Sequence, residues 1–386
     1  MSRTGSRRRS QETGAQWVAG MEFAVPILIV IAAGFLLGSF GAGMKHIAPM
    51  RWEAWWLIYS LLSLVLFPVA WALLAVPSLW EVLAAAPGDA VAKGMLFGAL
   101  WGIGGIMFGI SITYVGVAIT YGVVIGLSAA VGAMVPLLQK PEVVSSPAFP
   151  CILLGILVML GGVVLSVYAG VRRDQQQVAA GKQICGLKTG KDFRLGLVIV
   201  AICGAFSSVL NVGYVAAGPL AEKARDFGAL PRNSGFAAWV VVLFGGFLIN
   251  GGYAAFLLTR NRTWHTFRGP GVGKAWSWSM LTGLVWFAAF GLYGQGAALM
   301  GEMGPVIGWA IYVGLGLMVG TVWALLGGEW KGAAGPLRIM LAGIAVLVAA
   351  CCILAYANRL PRGLPSQDAA VLHTQEGAVV WTVAKS

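Results

Sequence analysis

Ser207, Asn211 and Tyr214 fall at intervals of four and three residues, which sets a hydroxyl, an amide and a phenol on one face of a helix. No charged residue interrupts the chain from Leu195 to Ala221 around them. Neutral hydrogen-bonding groups on such a helix need partners when lipid surrounds it, so this face turns to other helices or to a polar ligand. Asn250 and Gln295 offer the same uncharged chemistry further along, and Trp101, Tyr114, Tyr121, Trp286 and Tyr293 add rings with polar tips. Amides, hydroxyls and rings together suit a sugar, which presents hydroxyls to bond and C–H faces to stack and needs no countercharge. Taken singly, Asn211 and each aromatic residue also fit a packing role.

Acid–base chemistry has fewer candidates. Glu53 opens the run Glu53-Ala54-Trp55-Trp56 and follows Lys45, His46 and Arg51. One reading makes Glu53 and Lys45 a proton-coupling pair, the carboxylate's proton affinity being set by burial beside the cation. The other makes Glu53 an interfacial anchor, favoured by the helix N-terminus and flanked by Trp at headgroup depth. Glu302 and Glu329 read as interfacial. The 14 acidic residues are scattered singly, which argues against a membrane-embedded transferase, since such an enzyme needs an acidic cluster. The five cysteines form no CxxC pair and have no His at ligand spacing, so neither a metal nor another cofactor is expected. Gly102-Ile103-Gly104 lies inside an apolar stretch without strand or Lys, which excludes a dinucleotide loop. Close helix contact is the simpler account of the pairs Gly94/Gly98/Gly102, Gly105/Gly109, Gly122/Gly126 and Gly316/Gly320.

The elements that must carry these groups are membrane helices. Charged residues make up 10% of the chain and apolar ones 59%. Gly94–Leu138 contains no Asp, Glu, Lys, Arg or His, and it is too long for one crossing of about 20 residues. It therefore reads as two helices joined by a tight turn at Tyr114–Val117. Trp276–Leu326, with Glu302 as its one charge, repeats the arrangement. Apolar runs near 23–40, 52–76, 94–114, 117–138, 149–170, 195–217, 234–258, 277–299, 305–326 and 337–357 make ten spans of an all-α polytopic protein. Residues 1–20 form a basic arm, 21–171 and 195–358 two five-span groups, 172–194 a basic connector, and 359–386 a tail. The first apolar run is too long for a signal peptide and lacks a cleavage site. The net charge of +12 sits mainly in connectors and the arm, where it orients helices and meets anionic lipid; no nucleic-acid partner is expected.

The two groups echo each other. Gly98, Trp101 and Gly109 match Gly283, Trp286 and Gly294 at one offset, and Gly126, Gly132 and Leu138 match Gly314, Gly320 and Leu326 after a three-residue slip. Gly34 and Gly43 match Gly204 and Gly213. An odd number of spans per copy inverts the second copy, an arrangement that recurs in secondary transporters. The Lys/Arg-rich connectors, 1–2, 5–6, 7–8 and 9–10, point to the cytoplasm and would leave both termini outside, whereas the Arg-rich N-terminal arm argues for the opposite orientation.

The segments Lys45…Trp52-Glu53, Phe97-Gly98-Ala99-Leu100-Trp101-Gly102-Ile103-Gly104, Tyr114-Val115-Gly116, Cys203-Gly204-Ala205-Phe206-Ser207 and Gly328-Glu329-Trp330-Lys331 resemble, in this order, the bacterial L-rhamnose–proton symporter family of the drug/metabolite transporter superfamily. The resemblance runs from about Met21 to Leu360. It departs at Gly218 before Pro219, where enterobacterial members are expected to have Lys, and in longer, more basic termini. It implies ten helices in a five-plus-five inverted repeat around a central cavity. It also implies a multi-pass protein of the bacterial inner membrane that takes up L-rhamnose or a related monosaccharide with a proton, by alternating access. A facilitator or exporter of another small metabolite is the alternative. Glu53 and Lys45 are the coupling candidates; Asn211, Tyr214, Ser207, Gln295, Trp101, Tyr121, Tyr114, Trp286 and Asn250 are the sugar-binding candidates.

Overall fold

Among the described residues every regular element is a helix, and ten helices are long and apolar enough to cross a membrane. The computed structural model describes residues 24–139, 141–181 and 190–360, without the side chains at 45, 117, 118, 141 and 142. The basic arm 1–20, the middle of the connector and nearly all of the tail lie outside the described residues. The helices are α1 (Ala24–Met44), α2 (Trp52–Ala75), α3 (Gly88–Gly116), α4 (Ile119–Leu138), α5 (Ala148–Ala179), α6 (Lys191–Asp226), α7 (Pro231–Arg260), α8 (Val272–Leu299), α9 (Gly301–Leu326) and α10 (Ala334–Ala357). Helix is the form that satisfies every backbone polar group within its own segment, which lipid demands.

Several helices outrun their apolar stretches; α6, for one, runs on through Glu222, Lys223 and Arg225 to Asp226. α3 begins at Gly88, where Asp89 and Lys93 pair at 2.9 Å across the exposed first turn. α5 continues through Arg172, Arg173 and Asp174 to Ala179, so the expected basic connector is partly helical. Its Arg and Gln residues are good helix formers, and leaving the apolar zone does not end a helix.

The expected hairpin at Tyr114–Val117 turns on Gly116, whose φ of 80° and ψ of 170° suit a residue without Cβ. Beyond it the chain reverses. Gly104 of α3 lies against Phe206 and Ser207, while Leu127 of α4 lies against Gly204, so the hairpin grips α6 between its arms. Cys203 donates its Sγ–H to the Gly104 carbonyl at 3.2 Å, and Ser208 Oγ donates to the Leu127 carbonyl at 3.0 Å. The second hairpin turns at Gly301, with φ 67°, and grips α1 in the same way. Gly34 lies against Leu315, and Gly43 against Thr282. α5 packs antiparallel to α10, with Gly155 on Leu354 and Gly162 on Leu347. α2 packs antiparallel to α7, with Trp56 on Asn250 and the Trp71 and Phe236 rings 5.4 Å apart.

Small residues set the close approaches. A Cβ at Gly98 would run into the Val242 carbonyl of α7, and one at Gly122 into Val167 of α5. Gly109 meets open space, so in the Gly105/Gly109 pair only Gly105 touches a neighbour, Asn250.

Candidate functional site

A cavity of about 840 Å³ lies between the C-terminal parts of α1, α5 and α9 and the N-terminal parts of α4 and α8, with Met340 of α10 at its edge. Both five-helix groups contribute to it, and its size fits a small-molecule site. Its wall is mostly apolar: Leu37, Ile125, Val167, Val285 and Leu317. Polar points are set among them. His46 stacks on Trp278 with centroids 4.2 Å apart and planes 22° apart. Thr282 and Thr321 donate their hydroxyls to the carbonyls of Trp278 and Leu317, keeping lone pairs free to accept. Tyr121, gripped edge-on by Phe108 at 5.0 Å, lines the same space.

Among the described lining residues the charged pair, Arg173 and Glu329, stands on one side of the mouth. Arg173 donates from Nε and Nη2 to Asp174 Oδ1 at 2.9 and 2.8 Å, its Cζ lies 4.9 Å from the Trp330 ring centre, and its Nη1 stands 3.6 Å from Glu329 Oε2. The backbone puts Glu329 there. α9 ends in a Schellman turn, with Glu329 N–H bonded to the Ala324 carbonyl at 3.0 Å and Gly328 N–H to that of Leu325 at 3.0 Å. Gly328 holds the positive φ of 75° that this turn requires. Gln177 Nε2 donates to the Glu329 carbonyl at 2.7 Å, a second tie from α5 to this corner.

The residues expected to bind sugar are spread over several places. Tyr121 alone among them lines this cavity. Gln295 borders a second cavity of about 640 Å³ between α1, α2, α7 and α8, and donates to Asn233 Oδ1 at 3.0 Å. Asn211 is fully buried and fully engaged. Its Nδ2 donates to the Gly132 and Pro305 carbonyls at 2.8 and 2.7 Å, and its Oδ1 accepts from Tyr293 Oη at 2.6 Å. One side chain thus ties α6 to α4, α8 and α9, at the end of the bundle away from the cavity. Asn250 accepts from Trp56 Nε1 at 3.2 Å and donates to the Gly246 carbonyl at 3.0 Å. Tyr214 stacks on Trp239 at 4.4 Å, Ser207 sits where α6 crosses Gly104, and Tyr114 packs on Gly196.

Trp101 and Trp286, 5.6 Å apart, belong to an aromatic layer in the middle of the molecule. Trp286, Phe290, Tyr293, Trp309 and Tyr312 continue it, with neighbouring centroids 4.3 to 5.7 Å apart. Tyr312 lies one helical turn before Gly316, which lines the cavity, so the layer packs behind the cavity's lining without itself lining it. Its Oη has no partner among the described residues, and neither has Trp239 Nε1.

Glu53 also stands apart from the cavity. It is 7% exposed, and its Oε1 accepts from Thr263 Oγ1 at 2.7 Å and Asn261 Nδ2 at 3.2 Å, which fastens the start of α2 to the connector after α7. The side chain of Lys45 lies outside the described residues. No group of three metal-ligating side chains occurs among the described residues.

Sequence reasoning passed over Arg173, His46, Thr282, Thr321 and Trp278. Arg173 carried a signal: a cation directly after a charge-free span, with an acid beside it. Glu329 carried the positional signal of a Gly-Glu-Trp turn, which fits an interfacial anchor equally well.

The sequence matches the family model described as L-rhamnose-proton symport protein (RhaT) over residues 22–359. A protein named L-rhamnose-proton symporter from Yersinia pestis (strain Pestoides F) is 28% identical over 326 residues, covering 82% of this chain and 92% of the relative. One of the same name from Cronobacter sakazakii (strain ATCC BAA-894) is 29% identical over 326 residues, with the same coverage. A solved structure described only as "Crystal structure of protein" aligns with a TM-score of 0.54 at 16% identity, over 87% of this chain and 98% of that one; that likeness concerns the fold alone.

Proposed function

The chain belongs to the L-rhamnose-proton symport protein family, and from that premise we propose that it carries L-rhamnose or a related monosaccharide across a bacterial inner membrane together with a proton. The observation that carries this reading is the cavity walled by both halves of the chain. Membership in a transporter family sets the transferase alternative aside.

The sugar lies in the cavity, with its C–H face on the His46–Trp278 stack and its hydroxyls bonded to Thr282, Thr321 and Tyr121. Neutral acceptors and rings hold a neutral ligand without the desolvation cost of a charge. Glu53 acts as a clasp between α2 and the connector after α7.

The two halves are an inverted repeat of five helices each, of the drug/metabolite transporter type, and they expose the cavity to either side in turn. Matched contacts support this. Leu127 and Leu315 each follow a matched glycine, and they face Gly204 and Gly34, which are themselves matched. Phe97 and Thr282 each precede a matched glycine, and they face the matched pair Gly213 and Gly43. The open cavity lies on the side of the Lys/Arg-rich connectors, which the positive-inside rule assigns to the cytoplasm.

The deciding experiment is uptake of labelled L-rhamnose into proteoliposomes with and without an imposed pH gradient. Accumulation should require the gradient, acid on the donor side. Uptake indifferent to it removes symport and leaves facilitated diffusion.

A further inference from the structure

A symporter of a neutral sugar needs a group that takes up the co-transported proton where sugar occupancy can be felt. Among the described residues that line the cavity, the ionisable side chains are His46, Tyr121, Arg173 and Glu329. Tyr and Arg hold their protons throughout the physiological range. His46 is stacked face to face on Trp278, which leaves its ring nitrogens at the edge. Among the described residues that line the cavity Glu329 is the one carboxylate, and its side chain is 44% exposed. Glu53, the acid singled out in sequence, is buried at a helix–connector joint and accepts two hydrogen bonds there.

We infer that Glu329 is the proton-carrying carboxylate of the transport cycle and that Arg173 reads its charge state across the two halves. The inference rests on the symport reading above and assigns the proton to a residue. Among the described side chains, those near Glu329 include Arg173 from α5, which Asp174 backs, Tyr121 from α4, and Lys331 on its own turn, whose Cε approaches Gly328.

The step balances simply. The carboxylate takes one proton, becomes a neutral carboxyl, and returns the proton to water on the other side of the membrane. Arg173 is not orphaned by this. Two hydrogen bonds that it donates to Asp174 Oδ1, together with the face of Trp330, hold its guanidinium in place whether Glu329 is charged or not. What protonation removes is the ionic contact from α5 to the turn between α9 and α10, the contact at 3.6 Å that crosses from one half of the chain to the other. A fixed cation facing a carboxylate on a partner element makes the proton's arrival a change in the attraction between the halves. Gly328 serves this by fixing the turn, because a residue with Cβ is strained at its φ of 75°.

The test compares wild type, Glu329→Gln and Glu53→Gln in proteoliposomes, each assayed for pH-gradient-driven accumulation of L-rhamnose and for counterflow, the exchange of internal for external sugar without net proton movement. Glu329→Gln should lose accumulation by tenfold or more and still exchange sugar, because glutamine keeps the shape and cannot release a proton. Arg173→Gln should weaken accumulation more than counterflow. Gradient-driven accumulation by Glu329→Gln at the wild-type level overturns the assignment, as does loss confined to Glu53→Gln. Loss of both activities in Glu329→Gln, unrescued by Glu329→Asp, overturns it as well, since the residue would then hold the sugar or the fold. A wild-type protein that ignores the gradient fails earlier, at the symport reading itself.

Discussion

At the scale of single residues, two stacked tyrosines separate what packing needs from what is left over. Tyr293 and Tyr312 lie 5.0 Å apart with planes 22° apart, and both are fully buried. Tyr293 donates to Asn211, whereas the Tyr312 hydroxyl has no partner among the described residues. A buried hydroxyl without a partner is a cost, and one inside a bond is a modest gain. Tyr293→Phe should therefore lower stability by about 1 kcal/mol, because it strands the Asn211 carbonyl oxygen. Tyr312→Phe should leave stability level or raise it. Thermal unfolding of the detergent-solubilised protein measures both, and equal losses would refute the distinction. The side-chain chemistry of the centre was legible in sequence as uncharged amides, phenols and indoles. Which of them point at one another was not. Asn211 was expected to admit ligand or packing equally, and only the approach of Gly132 and Pro305 decides that its amide is already used. Those two lie far from it in sequence, one on each neighbouring hairpin.

At the scale of elements the sequence was far more telling, because length and charge leave a helix in lipid little choice. All ten spans were expected close to where they lie, and the first hairpin was expected within a residue or two of Gly116. The boundaries that moved most are polar ones, at Gly88, Ala179 and Asp226, where solvated turns extend a helix without any apolar signal. Small-residue spacing was a coarser guide. It marks faces where helices can meet without saying which glycine is touched. Gly98→Ala should destabilise by about 1–3 kcal/mol, since its Cβ would collide with the backbone carbonyl of Val242 and a backbone cannot rotate aside. Gly109→Ala faces open space and should stabilise by about 0.5–1 kcal/mol through helix propensity. The same unfolding assay reads both, and a loss at position 109 as large as that at 98 would remove the contact argument.

At the scale of the whole molecule, the matched positions predict which way the protein rests. By the alignments that relate the two hairpins and α1 to α6, the cavity-lining residues Tyr121, Gly316, Gly320, Gly38 and Gly41 correspond to Trp309, Ser128, Gly132, Ser208 and Asn211. The second set is closed. Trp309 Nε1 donates to the Ser128 carbonyl at 2.8 Å, Ser208 to Leu127, and Asn211 to Gly132 and Pro305. The side that is shut therefore carries a clasp whose counterpart on the open side is a glycine without a side chain, Gly41. On the alternating-access reading proposed above, that asymmetry favours the conformation in which the cavity stands open. If the halves exchange roles, Asn211→Ala should weaken the clasp by about 2 kcal/mol, taking somewhat under 1 kcal/mol for each of three bonds in a bilayer protein. A tenfold population change needs about 1.4 kcal/mol, so the open form should lose ground by tenfold or more. A cysteine placed at Ala324 on the cavity wall, in a background freed of the native cysteines, reports this through its rate of reaction with a polar thiol reagent. The rate should fall in Asn211→Ala and be restored in Asn211→Gln if the longer amide still reaches its acceptors. An unchanged rate in Asn211→Ala, in protein that still exchanges sugar, would mean that the clasp holds the fold together and plays no part in choosing the side.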